Sequence, residues 1–403
     1  MNLPLPAPPP VLVLAVEITA PLPTLASDGR HQEALLLLLR DGVPVGRLTV
    51  PCGIDQGELS ARIAAVAGDS EPRPAVDPGD LPFISVVVPS VFERGDLLLA
   101  TVESLVKQDY PRFEIIVVDN RPSPDHHDLI ARLQAFPVVR VEQEPKPGKS
   151  HAGNRGLLAA RGEVVTFTDD DVDTPPGWLT SIGSRFAAEP HTAAVTGPLV
   201  PTELETPAQI WFERAGGVAT SLSKVTFRRR PGTFTVTTSR GETMSLYQSG
   251  HFGDGPNMSF RTEVLRSLGG FTTVLGAGTP SLAGEDPDVL VRLLFAGHTL
   301  VFDPAAYVAH THIRDYAELR ERMFGYGGGY TAMLTSLIWS DRRHLLGLAA
   351  YGLRAVGLLL RKFRGARQAA VSSGEFPAEL SRLEFRGLLA GPWLYLRSRR
   401  HRF

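Results

Sequence analysis

The sequence predicts an α/β protein whose main domain is a mixed, mainly parallel sheet flanked by helices. Three observations carry this. From Phe83 onward, apolar strand-like runs alternate with helical stretches, the rhythm of βαβ units. Each run ends in polar, turn-forming residues. One of them, Val164-Val-Thr-Phe-Thr168, leads directly into Asp169-Asp-Asp171. Ligands of open α/β sheets bind outside the carboxyl ends of the strands, so this run delivers three carboxylates to the edge where a ligand is expected.

In chain order, Val11 to Ile18 alternates weakly as a strand. Residues 34–50 read as a hairpin around Asp41-Gly42, residue types that accept the left-handed turn conformation. Gln56 to Ala67 reads as a helix. Together these give a small α+β unit over residues 1–70, either an independent module or an extension packed on the main domain. A linker rich in Pro, Asp and Glu follows over 71–82. The main domain opens with strand Ile84–Val88, a helix over Asp96 to Lys107 and strand Phe113–Val118. Strand Val138–Val141, a helix opening near Ser150, and strand Glu163–Thr168 complete the first half, before Thr174-Pro-Pro-Gly-Trp178 turns the chain into another helix.

Composition narrows the function classes. A single cysteine, Cys52, excludes an internal disulfide framework and a multi-cysteine zinc site. With 41 basic and 43 acidic residues the chain as a whole carries no nucleic-acid signature. Residues 342–403, however, hold 13 Lys or Arg against 3 acids, a basic tail on an acidic body. The first ten residues lack the basic start of a secretory signal, and no apolar run reaches the ~18 residues of a membrane span. The expectation is a cytoplasmic protein, at most peripheral at the inner face of the cell membrane.

Two carboxylates at positions i and i+2 can share one hard cation that also grips phosphates, and Asp169 and Asp171 are that pair. A solvated acidic turn capping the next helix is the plain alternative. No G-x-G-x-x-G follows the first strand, so dinucleotide binding of the Rossmann type is not expected. Gly325-Tyr-Gly-Gly-Gly-Tyr330 reads as a flexible turn, and Gly250 to Gly255 as a mobile lid. Asp119, at the end of the second strand, either accepts from a nucleobase N–H or caps a helix.

Taken together, these pieces resemble the inverting nucleotide-sugar glycosyltransferases of family 2, with the GT-A fold, over about Phe83 to Thr311. The likeness rests on Val86-Val-Val-Pro89, Glu103 to Pro111, Ile115-Ile-Val-Val-Asp-Asn120, Gly148 with Asn154-Arg-Gly156, and Thr168-Asp-Asp-Asp-Val172. It continues through Gly255-Pro-Asn-Met-Ser-Phe-Arg261, Gly269-Gly-Phe271, Gly284-Glu-Asp286 and Asp303-Pro304 followed by His310. The resemblance implies a catalytic domain over 83–315, with the nucleotide-sugar and metal half at 83–200 and the acceptor half at 201–315. A helical basic region follows over 316–403.

The resemblance also implies roles. Asp119 would contact the base, with Pro89, Ser90 and, in the turn after them, Glu93 lining the nucleotide pocket. Asp169 and Asp170 would lie on the ribose side, and Lys149 and Asn154 near the diphosphate. Asp171, Asp169 and His310 would hold Mn2+ or Mg2+, and Asp286, with Glu285 beside it, would be the general base. The donor would be a UDP-sugar, with GDP- and dTDP-sugars as alternatives. The acceptor would be a glycan, a lipid-linked molecule or a small molecule, with no role for nucleic acid. Two departures stand out: the turn Ser90 to Arg94 is a residue longer and lacks the usual Tyr-Asn, and Gly153 replaces an Arg before Asn154.

Trp211, Phe234, Tyr247 and Phe252 are read as core, with sugar stacking the alternative. In the tail, Leu345 to Leu360 flanked by basic residues suits either a helix on an anionic membrane or a packed helix. Competing functional readings are a nucleotidyltransferase and a non-catalytic scaffold descended from a transferase.

Overall fold

The computed structural model describes residues 3–68, 71–214, 222–352 and 376–400. Residues 353–375, which include much of the tail segment singled out above, lie outside the described residues.

The N-terminal unit is a three-stranded sheet, β1 (Val11–Glu17), β2 (Glu33–Arg40) and β3 (Val43–Pro51), under helix α1 (Gln56–Val66). The hairpin between β2 and β3 turns on Asp41 and Gly42 with φ of 53° and 71°, the conformation expected of those residues. β2 is apolar without a break because both of its faces are covered. Ala34, Leu36 and Leu38 pack toward α1 with Leu59 and Ile63. Leu35 packs against Leu204 and Ile210, and Leu37 and Leu39 against Val200 and Tyr307. Such a strand reads as a solid apolar run instead of an alternating one. The unit is therefore packed on the main domain, and Val11 N–H donates to Leu204 O at 3.0 Å.

The main domain holds a ten-stranded mixed sheet. One half of it runs β7 (Val164–Phe167), β4 (Ile84–Ser90), β5 (Phe113–Asn120), β6 (Val139–Glu144), all parallel. Val86, Val87 and Val88 are each fully buried, one face under α2 (Gly95–Val106) and α5 (Trp178–Ala188), the other under α4 (Lys149–Ala159) and α8 (Glu285–Phe295). The second half starts with β14 (Met258–Arg261), antiparallel to β7 and to β9 (Thr192–Thr196). β15 (Thr299–Phe302) runs parallel to β9, and β11 (Val225–Arg229), β12 (Thr235–Thr238) and β13 (Thr243–Ser245) extend the edge antiparallel. A small second sheet, β10 (Leu199–Pro201), β16 (Val308–His310), β8 (Val172–Asp173), lies beside the acidic run.

The glycine-rich segment is not a turn. It lies inside helix α9 (Tyr316–Ser340), which pairs with α11 (Ala378–Arg400). Glycine disfavours a helix by ~1 kcal/mol per residue, so packing must repay it. A Cβ on Gly327 would lie 1.9 Å from Glu384 O, and one on Gly391 of α11 would lie 1.9 Å from Thr331 Oγ1. Gly329 faces the other way, where its Cβ would meet Ala283 at 2.6 Å. The glycines thus let α11 and the loop before α8 approach α9 closely. The Gly250–Gly255 segment, read from the sequence as a mobile lid, is likewise built for close approach: Gly253 has φ 115° against Thr196, and Phe252 is fully buried.

Gly327→Ala is expected to lower unfolding stability by about 1–3 kcal/mol despite alanine's better helix propensity, because the clash is with backbone. Gly250→Ala, whose added Cβ meets nothing within 4 Å, should be nearly neutral. Urea titration of the two variants against the parent checks this.

Candidate active site

Strand ends build the site. β4 ends at Ser90, whose register partner on β5 is Asp119, and β7 delivers Asp169, Asp170 and Asp171 one step further on. The small sheet then carries a distant residue to the acids: His310 of β16 pairs with Val172 of β8, and Thr311 N–H donates to Asp171 O at 3.1 Å.

The three acids have different partners. Asp169 Oδ1 is 2.6 Å from Lys149 Nζ at the start of α4. Asp170 accepts from Ser90 Oγ at 2.5 Å and from Arg94 Nη2 at 2.5 Å. Asp171 Oδ2 accepts from Arg94 Nη1 at 2.7 Å, while its Oδ1 is buried without a hydrogen-bond partner. Burial works against the charge on Asp169, but Lys149 outweighs it and holds the carboxyl below the usual range. Burial dominates at Asp170, whose pKa is raised.

Asp169, Asp171 and His310 present ligand atoms that all lie within 4.8 Å of one another. His310 Nε2 is 3.4 Å from the unpartnered Asp171 Oδ1, and burial pushes the imidazole pKa down, which favours its neutral, ligating form. Two carboxylates and one imidazole, with one orphaned oxygen, fit a divalent cation of the Mn2+ or Mg2+ kind. All three predicted metal ligands are brought together.

Across Lys149 lies the second acidic pair. Pro89, Lys149, Asp169, Glu285 and Asp286 line one crevice. Glu285 and Asp286 open α8 behind Gly284, whose φ of 104° only glycine adopts readily. Gly255 N–H donates to Asp286, and a Cβ on Gly255 would lie 2.1 Å from Asp286 Oδ2. Burial and then Asp286's charge push Glu285 up to about 8, against partial relief from Lys149. Burial also raises Asp286. The helix dipole alone, worth ~1 kcal/mol, does not undo this.

Asp119 is fully buried, with Oδ1 2.9 Å from His126 Nδ1 and Oδ2 unpartnered. Phe92, with φ 61°, puts its ring 5.0 Å from that of His126. Two predicted nucleotide contacts are placed elsewhere. Glu93 is exposed and reaches Arg121 at 3.6 Å. Asn154 spends both amide atoms on the Phe271 backbone, donating to O at 2.9 Å and accepting from N–H at 2.8 Å, so it clamps the Gly269-Gly-Phe271 turn. Trp211, Tyr247 and Phe252 are core, and Phe234 stacks on Tyr247 and Phe295.

Three residues at the site escape sequence reasoning: Arg94, His126 and His312. The one signal available for Arg94 was its position in the altered turn; His126 follows Asp119 by seven residues, and His312 follows His310 by two.

The fold is of the GT-A type found in solved glycosyltransferases. Residues 85–269 match the family model described as glycosyl transferase family 2. A pre-mycofactocin glycosyltransferase of Mycobacterium tuberculosis is 28% identical over 289 residues, 70% of this chain and 53% of the relative. A GalNAc(5)-diNAcBac-PP-undecaprenol β-1,3-glucosyltransferase of Campylobacter jejuni is 36% identical over 105 residues, 25% of this chain and 34% of the relative. The chain thus spans about half and about a third of these two curated relatives. A mannosyltransferase of Pyrobaculum calidifontis, solved with GDP-Man and Mn2+, shares the fold at a TM-score of 0.50 and 19% identity, covering 80% of this chain and 91% of that one.

Glu285 offers a check on the electrostatics. Its folded pKa lies above the ordinary 4.5, so the folded state binds the extra proton and the associated stability is lost as pH rises toward and through about 8. In metal-free protein, Glu285→Gln should melt close to the parent at pH 5 and above it at pH 9, by about 2–4 °C for each kcal/mol relieved. Thermal unfolding at the two pH values checks it.

Proposed function

We propose that this protein is an inverting glycosyltransferase that moves one sugar from a nucleotide-sugar donor to an acceptor hydroxyl. The observation that carries the reading is the pairing, across Lys149, of a cation-type donor set (Asp169, Asp171, His310) with an elevated-pKa carboxylate, Asp286. A Mn2+ or Mg2+ ion held by the donor set would offset charge on the departing diphosphate. Asp286 takes the proton from the acceptor hydroxyl; a base whose pKa is raised toward neutrality is better matched to that step. Attack by one activated hydroxyl in a single displacement inverts the anomeric carbon. Lys149 supplies the fixed positive charge beside the diphosphate. Asp119 Oδ2, buried and unpartnered, accepts an N–H from the base.

For the donor, a UDP-sugar is the first choice; the archaeal neighbour solved with GDP-Man keeps GDP-sugars in view. For the acceptor, the Campylobacter relative's name gives an undecaprenol-diphosphate-linked glycan, which favours a lipid-linked molecule here. The C-terminal helix supports that choice. Along α11, Phe385, Leu389, Trp393 and Leu396 form an exposed apolar stripe, with Arg382, Arg386, Arg397 and Arg400 on the same exposed side. Arg397 lies over the Trp393 ring at 5.4 Å. An apolar stripe edged by arginine suits the surface of an anionic bilayer. No described helix is long and apolar enough to cross a membrane.

A panel of UDP-, GDP- and dTDP-sugars with Mn2+ or Mg2+ should show nucleoside diphosphate release from one donor. Asp286→Asn should lower that turnover by about 10²–10⁴-fold while donor binding persists. Equal turnover in the variant would remove Asp286 from the role of base. Separately, the parent should sediment with phosphatidylglycerol vesicles and not with phosphatidylcholine vesicles, and Leu389→Glu with Trp393→Glu should release it. Equal partition of parent and double variant would rule out the α11 face.

A further inference from the structure

Beyond the metal ligands, a chain of polar side chains leads from Asp171 to the N-terminal unit. Asp171 Oδ1 lies 3.4 Å from His310 Nε2. His310 Nδ1 lies 3.5 Å from His312 Nδ1, the longest link. His312, its side chain fully buried, places Nε2 2.8 Å from Glu213 Oε2 on α6 (Pro207–Arg214). Glu213 Oε1 accepts from Arg47 Nη2 of β3. Phe212 meets the His312 ring edge-on at 4.9 Å and holds its plane.

The chemistry of each group fixes the protons in series. An ionised carboxylate only accepts, and Glu213 stays ionised because its His312 hydrogen bond and the Arg47 charge more than offset its burial. His312 Nε2 therefore carries the proton donated to Glu213. In a neutral imidazole the other nitrogen, Nδ1, is then bare and can only accept. The nitrogen facing it, His310 Nδ1, must be the donor. His310 Nε2 is left bare and aimed at Asp171, the form that binds a cation. Metal-bound histidines ordinarily have their second nitrogen held in this way by an outer partner.

We propose that Arg47, Glu213 and His312 are positioning residues that fix the tautomer of His310, so that the N-terminal unit takes part in building the metal centre. The proposal rests on the metal site of the preceding section. It gives the N-terminal unit a role in the reaction, since α6 and β3 are joined by a partly buried ion pair and not only by apolar packing. The opposite arrangement, with His312 Nδ1 protonated, would leave His310 Nδ1 bare and put a proton on Nε2, where it would block a cation.

The test uses full-length protein labelled with ¹⁵N-histidine. Long-range ¹H–¹⁵N spectra of the metal-free parent should show His310 protonated at Nδ1 and His312 at Nε2; His310 protonated at Nε2 overturns the proposal. Free Mn2+ followed by electron paramagnetic resonance should then show that Glu213→Gln weakens Mn2+ binding by about 10–100-fold. Arg47→Met, which touches neither histidine, should shift affinity the same way by a smaller factor. Unchanged affinity in Glu213→Gln with an unchanged melting temperature sinks the relay and leaves the metal site standing. Absence of Mn2+ binding in the parent, by contrast, defeats the metal reading itself.

Discussion

Everything near the sheet edge is arranged around an excess of negative charge. Asp169, Asp170, Asp171, Glu285 and Asp286 share the region with the cations Lys149 and Arg94. Charges a few ångströms apart and shielded from water interact several-fold more strongly than in bulk solvent. Two outlets exist: a proton, as on Glu285, or a cation at the donor set. The orphaned Asp171 oxygen lies where the second outlet is open, and the buried Asp170 pair with Ser90 and Arg94 keeps the middle acid out of it. A diphosphate would add further negative charge, which makes the cation and Lys149 interdependent with the donor.

Holding such a cluster requires close backbone approach from several directions, and glycine supplies it. Gly255 lets the β14 segment reach Asp286, and Gly284 and Gly329 let α9 lie against the loop that presents it. The α9–α11 pair is thus not an appendage. Its glycine seam sets how near the C-terminal helix sits, and the opposite edge of the same helix sets the position of the proposed base. The exposed apolar stripe on α11 and the loop that carries the proposed base are two faces of one helical layer.

The alternating elements of the main domain and the acid cluster at its edge were legible in the sequence because periodicity and strand-end adjacency are local properties. His310 came from the family resemblance, since nothing local marks it as a ligand. What stayed hidden is long-range or packing-driven. Glu213 is 166 residues from Arg47 and 99 from His312, so no window links them. The run Gly325 to Tyr330 was misread as a turn because glycine's propensity argues against helix, while the seam it forms is visible only once α11 is in place. Asn154 has a suitable residue type and position for a ligand, yet both its amide atoms bond the Phe271 backbone, a competition that sequence does not reveal. Arg94 was obscured by the length of its turn.

The N-terminal unit shows why such hidden links matter. Its sheet buries both faces of β2, and one of those faces rests on β10 and Tyr307, next to β16. Apolar packing of this kind fixes a distance but not a proton. A carboxylate gripped by arginine on one side and imidazole on the other fixes both, because each atom along the chain then has a single role as donor or acceptor. A partly buried ion pair such as this one contributes little net stability against an apolar replacement of the same shape. Its presence between Arg47 and Glu213, in a contact that already has ample apolar surface, is better explained by the orientation it imposes on His312 than by the energy it adds.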